Sequence, residues 1–333
     1  MTPPGATLTS VPEERPRQDP VFVLGYSRSG TTLLRLMLDA NPGLCVAREH
    51  ELFLNLPGKL GRGPFAHADV ERIADAVLAE RRGLLTAQQR DALTAELSRN
   101  LPGGLEAVFA SVHRVYQDSL GRGAARWGAK KPQHWRIVND LEEWFPGAQF
   151  VSIVREPRDV VASMLEHFPH HVRGRNLVAP HLLVAWQWRR AQRELHAFAR
   201  RCGERRFLEL RYEDLVGDPR EVLSRVCTFL GLPFDEAMLR TDRAIEQGRA
   251  GVRSLATAHQ ELRKAAHGAR VGRFSARLSP RQAAQIAAIC SREMQELGYD
   301  GPAEGLRAAA RFQARSLGAA LDLTWSVRRL FVR

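Results

Sequence analysis

Three short runs in the chain carry residue types that could do chemistry. In Gly25-Tyr26-Ser27-Arg28-Ser29-Gly30-Thr31-Thr32, glycines, hydroxyls and one arginine lie between an apolar run and a helical pattern. Backbone N–H groups and the helix dipole would cradle an anion at such a junction. The spacing is that of the phosphate loop GxxxxGK[ST], except that Thr31 stands where triphosphate chemistry needs a lysine to reach the outer phosphates. The loop therefore suits a phosphate but not ordinary ATP chemistry. Arg155 ends a second apolar run and Ser163 follows two helical turns later. One guanidinium and one hydroxyl could clasp a second phosphate. The third run, Lys130-Lys131, is the one place where lysines adjoin. All basic residues except Lys59, Lys130, Lys131 and Lys264 are arginines, and a compact ammonium differs chemically from a planar guanidinium.

These residues need elements to position them. Val21-Phe22-Val23-Leu24 is a continuous apolar run, followed by the loop and then by helical spacing through Leu33, Leu34, Met37 and Leu38, stopped at Asn41-Pro42-Gly43. Gln149 to Val154 repeats the pattern, with Pro157 and then Val160, Val161, Met164 and Leu165 at helical positions. Phe207 to Tyr212 is a third candidate strand, leading into a helix around 219–230 that breaks at Gly231-Leu232-Pro233. Leu44-Cys45-Val46 is a short further one. Residues 68–120 read as helices, 180–202 as one long amphipathic helix, and Ser279-Pro280-Arg281-Gln282 as a capping box opening a helix to Leu297-Gly298. Strands alternating with helices imply βαβ units. The predicted fold is α/β, a phosphate-loop-like central parallel sheet flanked by helices, in a single domain with helical insertions over residues 20–300. A polar, Pro-rich arm (1–19) would precede it and a basic helical extension (301–333) would follow.

Composition bounds the function. Hydrophobic residues at 44% and charged residues at 26% exclude a disordered or collagen-like chain. A net charge of +12 favours anionic partners without choosing among them. Cys45, Cys202, Cys227 and Cys290 lie far apart with no CxxC, so neither a zinc site nor a disulfide framework is expected. The first twenty residues lack the apolar stretch of a signal peptide, and no run approaches 18 apolar residues. A soluble, cytoplasmic protein is expected.

Together the motifs resemble those of the PAPS-dependent sulfotransferases, in their bacterial branch that is also similar to tyrosylprotein and heparan sulfotransferases. Tyr26 to Leu33 resembles the family's 5′-phosphosulfate loop, and Val154-Arg155-Glu156-Pro157-Arg158-Asp159 with Ser163 its 3′-phosphate site. Gly128-Ala129-Lys130-Lys131-Pro132 is similar to the lysine-proline motif. Arg211-Tyr212-Glu213-Asp214-Leu215 resembles a later strand-end motif, and Val271-Gly272-Arg273-Phe274 the segment that covers the nucleotide.

The resemblance implies transfer of a sulfuryl group from PAPS, 3′-phosphoadenosine 5′-phosphosulfate, to an acceptor hydroxyl or amine by in-line displacement. PAP, the 3′,5′-bisphosphate, would be the product and no metal would take part. It makes Glu49 the candidate base, with His50 and Glu51 beside it as alternatives, since alternation along an extended segment turns Glu49 and Glu51 the same way. Lys130 would meet the charge growing on the leaving phosphate, with Lys131 as the alternative lysine. Arg28, Ser29, Gly30, Thr31 and Thr32 would hold the phosphosulfate end, and Arg155 and Ser163, with Arg273 over them, the 3′-phosphate. Tyr212 is the further nucleotide-site residue. The run Ala265-Ala266-His267-Gly268-Ala269 lacks a serine that related enzymes often carry, which His267 could replace.

Two other readings compete. A phosphate-loop kinase or NTPase accounts for the first unit but makes no use of Arg155 and Ser163. A non-enzymatic binder of anions or membranes is prompted by the net charge and by the basic stretch Trp325 to Arg333, which could touch a membrane surface or help a homodimer. No spacing typical of nucleic-acid modules is present. The sequence is silent about the acceptor: a saccharide, a peptide tyrosine, a lipid or a secondary metabolite would each serve, with the 60–120 insert and Phe168 to Arg175 expected at its border.

Overall fold

The computed structural model describes residues 19–167, 179–240 and 271–301. Five strands, β1 (Val21–Leu24), β2 (Leu44–Val46), β3 (Arg126–Lys130), β4 (Gln149–Val154) and β5 (Phe207–Arg211), pair in parallel in the order β2-β3-β1-β4-β5. The described helices are α1 (Thr31–Asp39), α2 (Leu52–Leu60), α3 (Val70–Leu78), α4 (Arg90–Asn100), α5 (Leu105–Ser119), α6 (Val138–Trp144), α7 (Pro157–His167), α8 (Pro180–Cys202), α9 (Tyr212–Gly217), α10 (Pro219–Leu230), α11 (Pro280–Ile289) and α12 (Ser291–Glu296).

Parallel strands covered on both faces read as unbroken apolar runs, and β1 shows why. Phe22 and Leu24 enter one core cluster with residues of α2 to α8 and α11, while Val21 and Val23 enter a second with α1, α9 and α10. The α/β expectation holds, with the predicted insert realised as α3, α4 and α5. The predicted strand at 44–46 and the helix at 180–202 are both present.

Two features differ from expectation. β3 carries Arg126, Gly128 and Lys130 and gives no apolar signal, yet all five of its residues are buried between β1 and β2. Its polar groups have dedicated partners: Arg126 Nη1 donates to Gln149 Oε1 at 2.8 Å. A side chain at Gly128 would meet the Val21 carbonyl at 2.8 Å, so glycine is what permits that strand to lie there. The second difference is near the end of the domain. The capping box at Ser279 is formed, with Ser279 N donating to Gln282 Oε1 at 2.9 Å. The helix it opens stops at Ile289, however, and α12 restarts after Cys290.

The N-terminal arm, the segment from Phe168 to Arg175, the run around His267 and the C-terminal extension lie outside the described residues, apart from positions 19 and 301. Among the described residues no helix is long and apolar enough to cross a membrane.

Candidate active site

The carboxyl ends of parallel strands are where open α/β sheets bind ligands, and here all five strands deliver a chemically equipped residue to that edge. β1 leads into Gly25–Thr32, β2 into Glu49–Glu51, and β3 ends at Lys130. β4 leads into Arg155 and β5 into Tyr212. The register aligns Val23 with Lys130 and Leu24 with Ser152, so the phosphate loop is flanked by the β3 lysine on one side and the β4 arginine on the other.

The loop is shaped for close backbone approach. Gly25 and Gly30 take φ of +142° and +100°, and a Cβ at Gly30 would fall 2.5 Å from the Tyr212 ring. Tyr212, 1% exposed, thus lies beneath the loop as its floor. Arg28 is the one described non-glycine residue with positive φ, at 68°. No side chain caps α1. The N–H groups of Gly30, Thr31 and Thr32 meet no backbone carbonyl among the described residues. The Ser29 hydroxyl is fully buried there without a hydrogen-bond partner. Unsatisfied donors at a helix N-terminus fit a phosphate or sulfate oxygen, so the residues present suit the anionic group that the sequence implies.

The second group of candidate residues faces the first. Arg155 Nη1 donates to the Arg28 carbonyl at 3.4 Å and its guanidinium stacks 4.5 Å from the Tyr212 ring centroid. Arg28 Nε donates to Ser163 Oγ at 2.9 Å, so its side chain leaves its own loop and joins the pocket of Arg155 and Ser163. Burial and the Arg155 charge both push the Arg28 guanidinium below its ordinary value. Arg273 completes the crevice, which is also lined by Asp159, Ala162 and Glu166. An anion bound here would relieve the Arg28 charge, which its surroundings disfavour.

On the opposite flank, Lys130 Nζ donates to Thr32 Oγ1 at 3.0 Å and to Glu49, joining the phosphate loop to the carboxylate. Burial raises Glu49, but Lys130, Lys131 and Arg35 outweigh it and hold the carboxyl below its usual range. Burial lowers the fully enclosed Lys130 to about 8, with Glu49 opposing. Lys131 is a separate pair: its Nζ lies 3.1 Å from Glu51, which Arg82 also approaches at 3.4 Å. Both lysines therefore face inward, each with its own carboxylate, and Lys130 is the one that reaches the loop.

His50 is not brought to this pair. Alternation turns it the opposite way from Glu49 and Glu51, and its ring, 1% exposed, packs 5.5 Å from Phe53 and 5.2 Å from His113. Burial, with His113 and His134 nearby, holds it well below 6.5. Sequence reasoning assigned no role to Asp159, which accepts hydrogen bonds from Gly272 N and Phe274 N. Nor did it assign one to Tyr26, whose hydroxyl donates to Gln187 Oε1 on α8 at 2.8 Å. Asp159 lay inside a quoted motif, but these two backbone partners are more than a hundred residues downstream, where spacing carries no signal. Among the described residues no cluster of three or more His, Cys, Asp or Glu side chains could hold a metal ion.

Comparison with known proteins gives the family context. Residues 20–236 match the family model described as "Sulfotransferase family". A protein-tyrosine sulfotransferase of Drosophila melanogaster is 25% identical over 227 residues, covering 68% of this chain but 41% of that protein's length. An omega-hydroxy-beta-dihydromenaquinone-9 sulfotransferase of Mycobacterium tuberculosis is 32% identical over 149 residues, 43% of this chain and 38% of its own. The chain thus spans about two fifths of each. Among solved structures, the sulfotransferase domain from the curacin biosynthetic pathway superposes with a TM-score of 0.60 at 21% identity, over 85% of this chain and 99% of that one. The sulfotransferase domain of the Synechococcus PCC 7002 olefin synthase gives 0.57 at 24%, over 87% and 98%. Both share the fold.

Proposed function

The chain belongs to the sulfotransferase family, and from that premise we propose that it transfers the sulfuryl group of PAPS to an acceptor hydroxyl or amine, with Glu49 as base. The observation that carries the reading is Lys130, which bridges the Thr32 hydroxyl of the phosphate loop and the Glu49 carboxylate. That contact puts a proton acceptor and a cation side by side at the mouth of an anion cradle.

The donor supplies an activated sulfur: a new acceptor O–S or N–S bond forms as the S–O bond to the phosphate breaks. Glu49, held ionised by its basic neighbours, takes the acceptor's proton. As its charge is neutralised its pull on Lys130 falls, and the ammonium, still bonded to Thr32, is left beside the loop where leaving-group charge grows. The N–H groups of Gly30, Thr31 and Thr32 meet the same charge without reorganising. Arg155, Ser163, Arg28 and Arg273 hold the 3′-phosphate, the group that separates this donor from ATP. In a triphosphate loop the lysine comes from the loop itself. Here Thr31 takes that position and the ammonium arrives from β3, paired with a carboxylate.

The acceptor belongs to the classes its relatives' names record, a protein tyrosine or a hydroxylated menaquinone, or to saccharides and secondary metabolites. The test is release of the bisphosphate from PAPS in the presence of candidate acceptors, with mass spectrometry reading the sulfate increment. Glu49→Ala should lose turnover by roughly 100-fold or more, the usual contribution of a general base, while binding the bisphosphate like the parent. Normal turnover in that variant would falsify the base assignment, and no PAPS consumption with any acceptor class would remove the donor assignment.

A further inference from the structure

Asp159 has no part in the chemistry above, yet its side chain is only 1% exposed. It sits in the first turn of α7, and three donors converge on its two oxygens. Oδ2 accepts from Arg155 Nη2 at 3.3 Å and from Gly272 N at 2.8 Å, and Oδ1 accepts from Phe274 N at 2.9 Å. The residue between those two amides is Arg273. One carboxylate therefore grips the backbone on both sides of Arg273 while it holds the Arg155 guanidinium from one helical turn away.

The two arginines belong to remote segments, since Gly272 lies 113 residues beyond Asp159, yet they line one crevice with Ser163. The turn that presents both amides to one carboxylate needs the left-handed backbone of Gly272, φ 72°. A buried carboxylate is costly unless it is paired and hydrogen-bonded, and these three donors meet that requirement from the two segments that must be aligned. The other acid of the crevice, Glu166, is engaged by Arg277 at 2.9 Å. Arg273 has no carboxylate partner among the described residues' ion pairs.

We propose that Asp159 is a positioning residue that sets Arg155 and Arg273 onto one phosphate group, and so determines the preference for an adenosine nucleotide carrying a 3′-phosphate over one without it. The inference rests on the donor reading above, and it adds the group that builds the selectivity.

Calorimetry with adenosine 3′,5′-bisphosphate and with adenosine 5′-monophosphate, together with amide hydrogen exchange across 271–276 in the nucleotide-free protein, tests it. Asp159→Asn should weaken the bisphosphate by about tenfold or more, the scale of one charge-assisted contact, and leave the monophosphate unchanged. The amides of Gly272 and Phe274 should exchange faster, and Asp159→Glu should recover part of both effects. A merely structural role would weaken both nucleotides alike. An unchanged ratio of the two affinities, or unchanged exchange at Gly272 and Phe274, overturns the proposal. A wild-type protein that binds both nucleotides equally overturns the donor reading and the selectivity with it, while the exchange arm still decides whether the carboxylate holds the backbone. Should Asp159→Asn not fold, Arg273→Met, which leaves all three bonds to Asp159 in place, should lose the bisphosphate preference with exchange unaltered; retained preference there sinks the idea.

Discussion

Lys130 is held between opposing influences. Burial drives its ammonium down to about 8, from an ordinary value of 10.5, and the Glu49 carboxylate pulls it back. Because the folded value lies below the unfolded one, the native chain binds fewer protons than the unfolded chain between these limits, and this group's penalty on stability is relieved as pH rises through that window. Activity runs the other way. The proposed role needs the charged form, so kcat/KM for the donor should fall as pH rises through about 8. In Lys130→Arg the guanidinium stays charged, so that limb should vanish, with a lower kcat because a planar fork replaces a compact ammonium. An alkaline limb at the same pH in both proteins would assign it to another group. At this scale the sequence was informative: the lysine pair stood out against a background of arginine, and Arg155 and Ser163 stood out by position. What it left open was direction. Which way Lys130, Lys131 and His50 point depends on the pleat after β2 and at the end of β3, and residue type does not encode that.

The loop between β1 and α1 depends on an element far from it in sequence. Gly30 is left-handed, and the space a Cβ would need is filled by Tyr212 at the start of α9. Gly30→Ala should therefore destabilise the protein by roughly 1–3 kcal/mol through backbone strain and overpacking and weaken the bisphosphate as well. Thermal unfolding reads the first effect and calorimetry the second, and an unshifted melting temperature would show that the ring yields. β1 and β4 were legible because both their faces are buried and they read as apolar runs, and α8 was legible from its long amphipathic period. β3 was not, since Arg126, Gly128 and Lys130 are there for their partners: a carbonyl, a close strand contact and a carboxylate. The break between α11 and α12 escaped as well, because the apolar period continues through Cys290.

Across the whole molecule, three segments bring His50, His113 and His134 together around Phe53, with His113 stacked 4.2 Å from Trp127. Burial lowers His113 to about 4 and His134 to about 3, and Lys131 and Lys130 push His134 the same way. Unfolding lets these rings take up protons near pH 6.5 that the folded chain refuses, so stability should be lost as pH falls from about 6.5 toward 4, by at most about 1.4 kcal/mol per pH unit for each ring. Melting temperatures across that range should show the slope, and His134→Phe should make it shallower; a slope unaffected by that change would exclude His134 from the effect. The paired strands β1 and β4 carry a different consequence. Their ends stand about 4.8 Å apart because peptide groups, not side chains, fix the interval. A gauge made of main chain cannot be recalibrated by exchanging one amino acid for another. On the proposed reading, redesign for a new acceptor can leave the donor end alone, whereas a nucleotide of different proportions would call for other loops at these strand ends.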